Sequence, residues 1–121
     1  MKLKVFYLAA FMFFPCMAIA DGAISTMASV LSELNHFPSA TDKEALAGIV
    51  DDASSTSDEK TLALIISRIA HQASAEDKAD LEKILGAEEA SQAAKTIATA
   101  VLNTLHKLQS DDLQAVKALM D

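Results

Sequence analysis

The sequence predicts an all-α domain built from three tandem helix hairpins with a period of 35 residues. The first observation is that residues 27–61 align without a gap with residues 62–96 at 11 identical positions. Apolar side chains also recur at intervals of three and four residues, which is the spacing of one buried helix face. Serines stand three residues before aspartates where second helices should begin, as in helix N-caps. We therefore expect a short α-solenoid, with a closed repeat-derived bundle of five or six helices as the competing arrangement.

Before the repeats, residues 1–20 have the three parts of a secretory signal peptide. A basic start with Lys2 and Lys4 precedes an apolar run, and small residues end the segment at Ala20. Cleavage there removes both lysines, so the formal net charge changes from −7 to −9. It also removes the only cysteine, Cys16, which excludes disulfide and thiol chemistry from the exported chain. We expect a periplasmic or secreted protein that has no contact with the membrane after cleavage.

Residues 21–121 have the size of one domain with one core. The first helix of each repeat unit carries a single apolar stripe, and so does the second. The predicted first-helix stripes are Met27, Val30, Leu31, Leu34; then Leu62, Ile65, Ile66, Ile69; then Ile97, Val101, Leu105. The predicted second-helix stripes are Leu46, Ile49, Val50; then Leu81, Ile84, Leu85; then Val116, Leu119, Met120.

The second helices of units 1 and 2 have clear starting signals. Ser39 and Ser74 each precede an aspartate by three residues, so a serine hydroxyl can accept a hydrogen bond from an exposed backbone amide. The aspartates also favour the positive end of the helix dipole. Unit 3 departs from this pattern because Gln109 takes the position of the serine and Ser110 follows it. We expect its second helix to be the least well capped.

One histidine and one aspartate are identical in all three units. These residues are His36, His71, His106 and Asp42, Asp77, Asp112. Each histidine falls at the end of a first helix, six residues before the aspartate, so we interpret both as structural residues that clasp the hairpin turn through a His–Asp or His–backbone contact. In a stack of helices, equivalent side chains are about 8–10 Å apart per neighbouring helix, so we do not expect three imidazoles to share one metal ion. A pH sensor, or a metal bound by one histidine with nearby carboxylates, is an alternative.

The acidic charge predicts what kind of partner the protein binds. A net charge of −9 after cleavage opposes binding to nucleic acid and to anionic lipid, and it favours a partner protein with a basic surface. Candidate partner-binding residues are Phe37, Asp51, Asp52, Glu88 and Glu89. Phe37 is the only aromatic residue left after cleavage. It is either an interface anchor or a hydrophobic staple over the following helix.

Catalytic signals are lacking in the sequence. No Gly-x-Ser-x-Gly nucleophile turn occurs, and with three glycines there is no phosphate-binding loop. We expect no enzyme activity and no cofactor. In export, size and helical content the chain resembles small immunity proteins of interbacterial toxin systems. That resemblance implies an exported inhibitor of a cell-wall-targeting toxin or hydrolase. A periplasmic stress or holdase-type chaperone and a His/Asp metal-binding protein are the alternatives.

Overall fold

The computed structural model describes residues 22–120, and this part of the chain forms six helices. The expected signal peptide lies outside the described residues. The helices are α1 (22–32), α2 (Ala40–Asp51), α3 (Ser57–Ser67), α4 (Ala75–Gly86), α5 (Gln92–Leu102) and α6 (Ser110–Ala118). Between residues 22 and 120, extended pairing is limited to isolated bridges within the three histidine turns. No helix in that range has the length and apolar character needed to cross a membrane.

The second helices of units 1 and 2 begin where the sequence predicts, and most helices from α2 to α6 have a side-chain cap. The Ser39 hydroxyl accepts a hydrogen bond from the Asp42 amide at 3.1 Å, and the Asp42 carboxylate accepts one from the Ser39 amide at 3.3 Å. This reciprocal pair is a complete capping box. At the start of α4, the Ser74 hydroxyl accepts a hydrogen bond from the Asp77 amide at 3.1 Å, without the reciprocal bond from the aspartate. At the start of α6, Gln109 makes no side-chain cap, as expected.

The three units are related by rotation, so the fold is a closed bundle. The ring centroids of His36, His71 and His106 are 4.9 Å apart in every pair. Three equal separations define an equilateral triangle, whereas in a linear stack units 1 and 3 would be the farthest apart. The all-α class and the three helix hairpins are therefore confirmed in their six-helix bundle form, around a pseudo-threefold axis that passes between the histidines.

The first helices form the inner layer and the second helices form the outer layer. Among α2 to α6, α3 packs against α5. The second helices of units 1 and 2 pack on the first helix of the following unit, α2 on α3 and α4 on α5, whereas α6 packs on α5 of its own unit. Equivalent apolar residues of the three inner helices are fully buried together, which closes one core. The two innermost sets are Met27, Leu62, Ile97 and Leu31, Ile66, Val101.

Two of the predicted core positions in unit 3 are wrong. Leu105 is 56% exposed, and the position equivalent to Leu34 is taken by Thr104, which is buried. The Thr104 hydroxyl donates a hydrogen bond to the Ala100 carbonyl at 2.7 Å, so its burial leaves no polar atom unsatisfied. Met120, predicted for the stripe of the last helix, lies beyond the end of α6 and is 37% exposed. Leu105 thus has helical spacing from Val101 but lies one residue beyond the buried position, which Thr104 occupies.

Candidate metal centre

The histidine turns of the three units meet at one end of the bundle, on the pseudo-threefold axis. Each turn joins the first helix of its unit to the second. The His36 amide donates to the His106 carbonyl at 2.5 Å, the His71 amide to the His36 carbonyl at 2.6 Å, and the His106 amide to the His71 carbonyl at 2.6 Å. These bonds form a ring in which every unit donates once and accepts once. These bonds join main-chain groups of different units, and they are not the predicted contact of an imidazole with the carbonyls of its own hairpin.

All three histidines have a left-handed backbone conformation. Their φ angles are 74° at His36, 73° at His71 and 67° at His106. This region costs a residue with a Cβ atom about 1–2 kcal/mol, and glycine is the residue that adopts it without that cost. None of the glycines in the described chain has a positive φ. Three histidines at three positions that favour glycine indicate that the imidazole side chains have a use that outweighs the backbone cost.

The imidazole rings face one another through the same nitrogen. The Nδ1 atoms of His36 and His71 are 3.0 Å apart, those of His71 and His106 are 3.0 Å apart, and those of His106 and His36 are 3.2 Å apart. The ring planes are inclined to each other by 70–83°, as in the blades of a propeller. The three side chains are open to solvent. The result is a nearly regular triangle of nitrogen atoms at the surface of the bundle.

Protons alone cannot satisfy this triangle. A neutral imidazole carries its proton on one nitrogen only, so each Nδ1 is either a donor or an acceptor. In a cycle of three, at least one of the contacts must join two donors or two acceptors, and that contact is repulsive. A cation bound by all three Nδ1 lone pairs removes the conflict, since each proton then lies on Nε2. The arrangement thus suits a metal ion better than it suits three free imidazoles.

The dimensions of the triangle fit a transition-metal ion. Nitrogens separated by 3.0–3.2 Å can all lie about 2.0–2.1 Å from one ion placed about 1 Å out of their plane. The nitrogen–ion–nitrogen angles are then about 95–100°, between octahedral and tetrahedral values. Within residues 22–120, these histidines are the one group of three or more His, Cys, Asp or Glu side chains close enough to share an ion.

The structure corrects our expectation that the three imidazoles are too far apart to share an ion. That expectation assumed translation along a stack, which separates equivalent residues by a helix diameter. Rotation about an axis instead brings equivalent residues together when they lie near that axis, and these histidines do. The sequence shows that His36, His71 and His106 are a repeated set, but it does not predict that their imidazoles come together.

The repeated aspartates do not contact the histidines. The Asp42 carboxylate belongs to the cap of α2, and the Asp112 carboxylate accepts a hydrogen bond from the Asn103 side chain at 3.1 Å. Asp77 is nearly buried and pairs with Arg68 at 2.6 Å, and this hydrogen bond raises the pKa of the arginine. The His–Asp form of the predicted clasp is therefore absent from the hairpins. Each aspartate acts at the start of its own second helix.

The predicted partner-binding residues fall at opposite ends of the bundle. Phe37 lies beside the histidine centre and is 59% exposed, so it does not pack as a buried staple. At the other end lie Asp51, the last residue of α2, and the turn residues Asp52, Glu88 and Glu89, all of them exposed and all shortly before α3 or α5 begins. Hydrogen bonds from the Ser54 hydroxyl and amide lower the pKa of Asp52. The Asp52 carboxylate thus accepts hydrogen bonds within the turn that follows α2.

A pocket of about 310 Å³ lies at this acidic end. It is bounded by Ile24 of α1 and by residues at or just before the beginnings of α3 and α5, among them Asp58 and Glu89. Glu59 also lines it, but its carboxylate accepts a hydrogen bond from the Thr56 amide at 2.8 Å and is thereby engaged in a helix cap. The acidic end therefore combines exposed carboxylates with a pocket that Ile24, Ala93 and Ala94 line in part.

A sequence signal for the closed arrangement does exist. Terminal repeats of an open solenoid need a polar outer face, because one of their sides has no neighbour. Here Ala28, Ala63 and Ala98 are identical and the positions of Met27, Leu62 and Ile97 are apolar in the first, middle and last units alike.

We compared the chain with known proteins. No family model, no curated protein and no solved structure matches it.

Proposed function

We propose that this protein binds one divalent transition-metal ion per chain through the Nδ1 atoms of His36, His71 and His106. The observation that supports the proposal is the Nδ1 triangle with edges of 3.0–3.2 Å. We expect one ion per chain because the three units are related by rotation about one axis and each supplies a single ligand at that axis. A protein with an independent site in every hairpin would bind three ions.

The donor set selects the class of metal. Imidazole nitrogens suit Zn²⁺, Cu²⁺, Ni²⁺ and Co²⁺, whereas Mg²⁺ and Ca²⁺ require oxygen ligands. Zn²⁺ tolerates the intermediate angles of this triangle because its filled d shell imposes no geometry of its own. Zinc is therefore the ion that we expect first, with Cu²⁺ as the strongest competitor on affinity grounds.

Metal binding would stabilise the closed bundle. The three ligands come from three units, so the ion holds together the turns that already share the ring of backbone hydrogen bonds. A ligand at 100 times its dissociation constant stabilises the folded state by about 2.7 kcal/mol when it binds only that state. Protons compete with the metal for the same lone pairs, so this stabilisation should decrease in acid.

Isothermal titration of the chelator-treated full chain with ZnCl₂ tests the proposal. We expect one zinc per chain, and a titration with Co²⁺ that gives visible absorption bands saturating at the same ratio. The variant His71→Ala should lose both signals. Gln72→Ala is the matched control, since it changes the exposed neighbouring residue in the same turn and should keep them. A stoichiometry of three, or unchanged binding by His71→Ala, would contradict the proposed site.

A second candidate function is the binding of a basic partner protein, and the acidic end of the bundle favours it. Asp51, Asp52, Glu88 and Glu89 are all exposed there. In its most specific form the partner is a cell-wall hydrolase or toxin that the exported protein inhibits. The variant Glu88→Lys/Glu89→Lys should weaken such binding, whereas Phe37→Ser, at the opposite end, should not. Surface plasmon resonance against purified basic hydrolases would measure both, and equal effects of the two variants would refute this orientation.

A further inference from the structure

We infer that the metal ion at the histidine centre keeps a coordination position open to solvent, and that this position binds a small monodentate anion. The inference rests on the proposed metal binding and adds the chemical class of the ligand that the centre takes. Three observations support it: the number of protein ligands, the direction in which the open position faces, and the charge around the ion.

The protein supplies too few ligands to complete the coordination shell. Zinc sites with four protein ligands are closed and structural, whereas sites with three leave a position for water or substrate. No fourth His, Cys, Asp or Glu of residues 22–120 joins the cluster. An ion about 1 Å out of the nitrogen plane therefore has at least one position that no side chain in this part of the protein occupies.

The open coordination position faces solvent because the side chains on the interior side of the histidines offer no atom to coordinate the metal ion. Two residues before each histidine the chain is buried, at Leu34, Ile69 and Thr104. The two aliphatic side chains have no atom that can coordinate a metal ion, and a 2.7 Å hydrogen bond holds the Thr104 hydroxyl at the Ala100 carbonyl. The imidazole rings themselves are open to solvent. A ligand from solution can therefore reach the ion from outside the bundle.

The charge balance favours an anion in that position. Three neutral imidazoles leave the full charge of a divalent ion uncompensated, since no carboxylate belongs to the cluster. The aspartates repeated in each unit are engaged in the cap of α2 or in pairs with Arg68 and Asn103. Residue 107, directly after the third histidine, is a lysine. A small anion would thus be attracted both by the ion and by the one formally charged residue adjacent in sequence to these histidines.

Azide titration of the cobalt-loaded full chain tests this inference. Azide is a small monodentate anion, and its coordination changes the visible bands of Co²⁺. We expect a saturable shift of these bands with one azide per cobalt, while perchlorate at the same ionic strength, which coordinates weakly, leaves them unchanged. Lys107→Ala should retain cobalt binding and weaken azide binding several-fold.

The possible outcomes separate the two proposals. Cobalt bands that saturate at one ion per chain but do not respond to azide would show a closed metal centre, and they would overturn the inference while the metal site stands. An absence of cobalt bands would overturn the metal site and the inference together. A shift that perchlorate reproduces would be an ionic-strength effect and would also count against anion coordination.

Discussion

Replacement of His71 by glycine separates the backbone role of this residue from its role as a ligand. The φ angle of 73° at His71 is one that glycine adopts readily. In the metal-free protein, His71→Gly should therefore be as stable as the wild type or more stable. In the presence of zinc the same variant should be the less stable protein, because it has lost one of the three ligands. A single substitution is thus expected to have effects of opposite sign in the two conditions.

The magnitudes follow from the backbone conformation. A residue with a Cβ atom loses about 1–2 kcal/mol in the left-handed region. Glycine avoids this cost but loses about 0.5–1 kcal/mol in additional chain entropy on folding. His71→Gly should accordingly exceed His71→Ala in stability by about 0.5–1 kcal/mol, which is a difference of several degrees in the melting temperature of a domain of this size. Zinc at 100 times its dissociation constant should raise the wild-type melting temperature by about 10–20 °C.

Thermal unfolding followed by circular dichroism at 222 nm, in chelator and in zinc, measures all of these values. Gln72→Gly is the control, because Gln72 is exposed, follows His71 directly and does not have a positive φ. It should lose stability in chelator and keep the full response to zinc. Equal destabilisation by His71→Gly and His71→Ala in chelator would refute the backbone argument, and a normal zinc response of His71→Gly would refute the assignment of His71 as a ligand.

Three further substitutions test the packing and capping of the bundle by chemical denaturation. Gln109→Ser should add the missing cap of α6 and raise the free energy of unfolding by about 1 kcal/mol, and no change would show that the start of α6 does not need it. Glu33→Arg should raise the free energy of unfolding by about 0.2–1 kcal/mol, because residue 33 is equivalent to Arg68 and would pair with Asp42 as Arg68 pairs with Asp77. A lower free energy of unfolding would mean that unit 1 does not repeat this ion pair. Leu62→Ala should cost about 2–5 kcal/mol, since its side chain is fully buried in the inner layer, and a cost below 1 kcal/mol would contradict that packing.

Local structure could be predicted from the sequence because its signals are local. The spacing of Met27, Leu31 and Leu34 indicates one buried helix face, and the structure buries all three. The serine and aspartate at positions 39 and 42 indicate a helix start, and both cap bonds are present. These interactions join residues three to seven positions apart, so a pattern in the chain is enough to reveal them.

The triangle of histidines could not be predicted in the same way because it depends on the relation between units. A period of 35 residues states that the units are alike but does not say whether they are related by translation or by rotation. Under translation the histidines are separate, and under rotation they converge. The same ambiguity applies to the clasp: the sequence predicts a contact between a histidine and the aspartate of its own turn, whereas the contacts of His36 are with His71 and His106.

The ring of hydrogen bonds among the three turns makes the centre dependent on the whole chain. Each unit contributes one amide donor, one carbonyl acceptor and one imidazole, and each bond crosses from one unit to another. A single hairpin, or any two of them, has neither a closed ring nor a complete triangle of ligands. Metal binding would therefore require all three hairpins to be folded at once. A cut or a misfolded segment in any one of them would release the ion, even where the other two are intact.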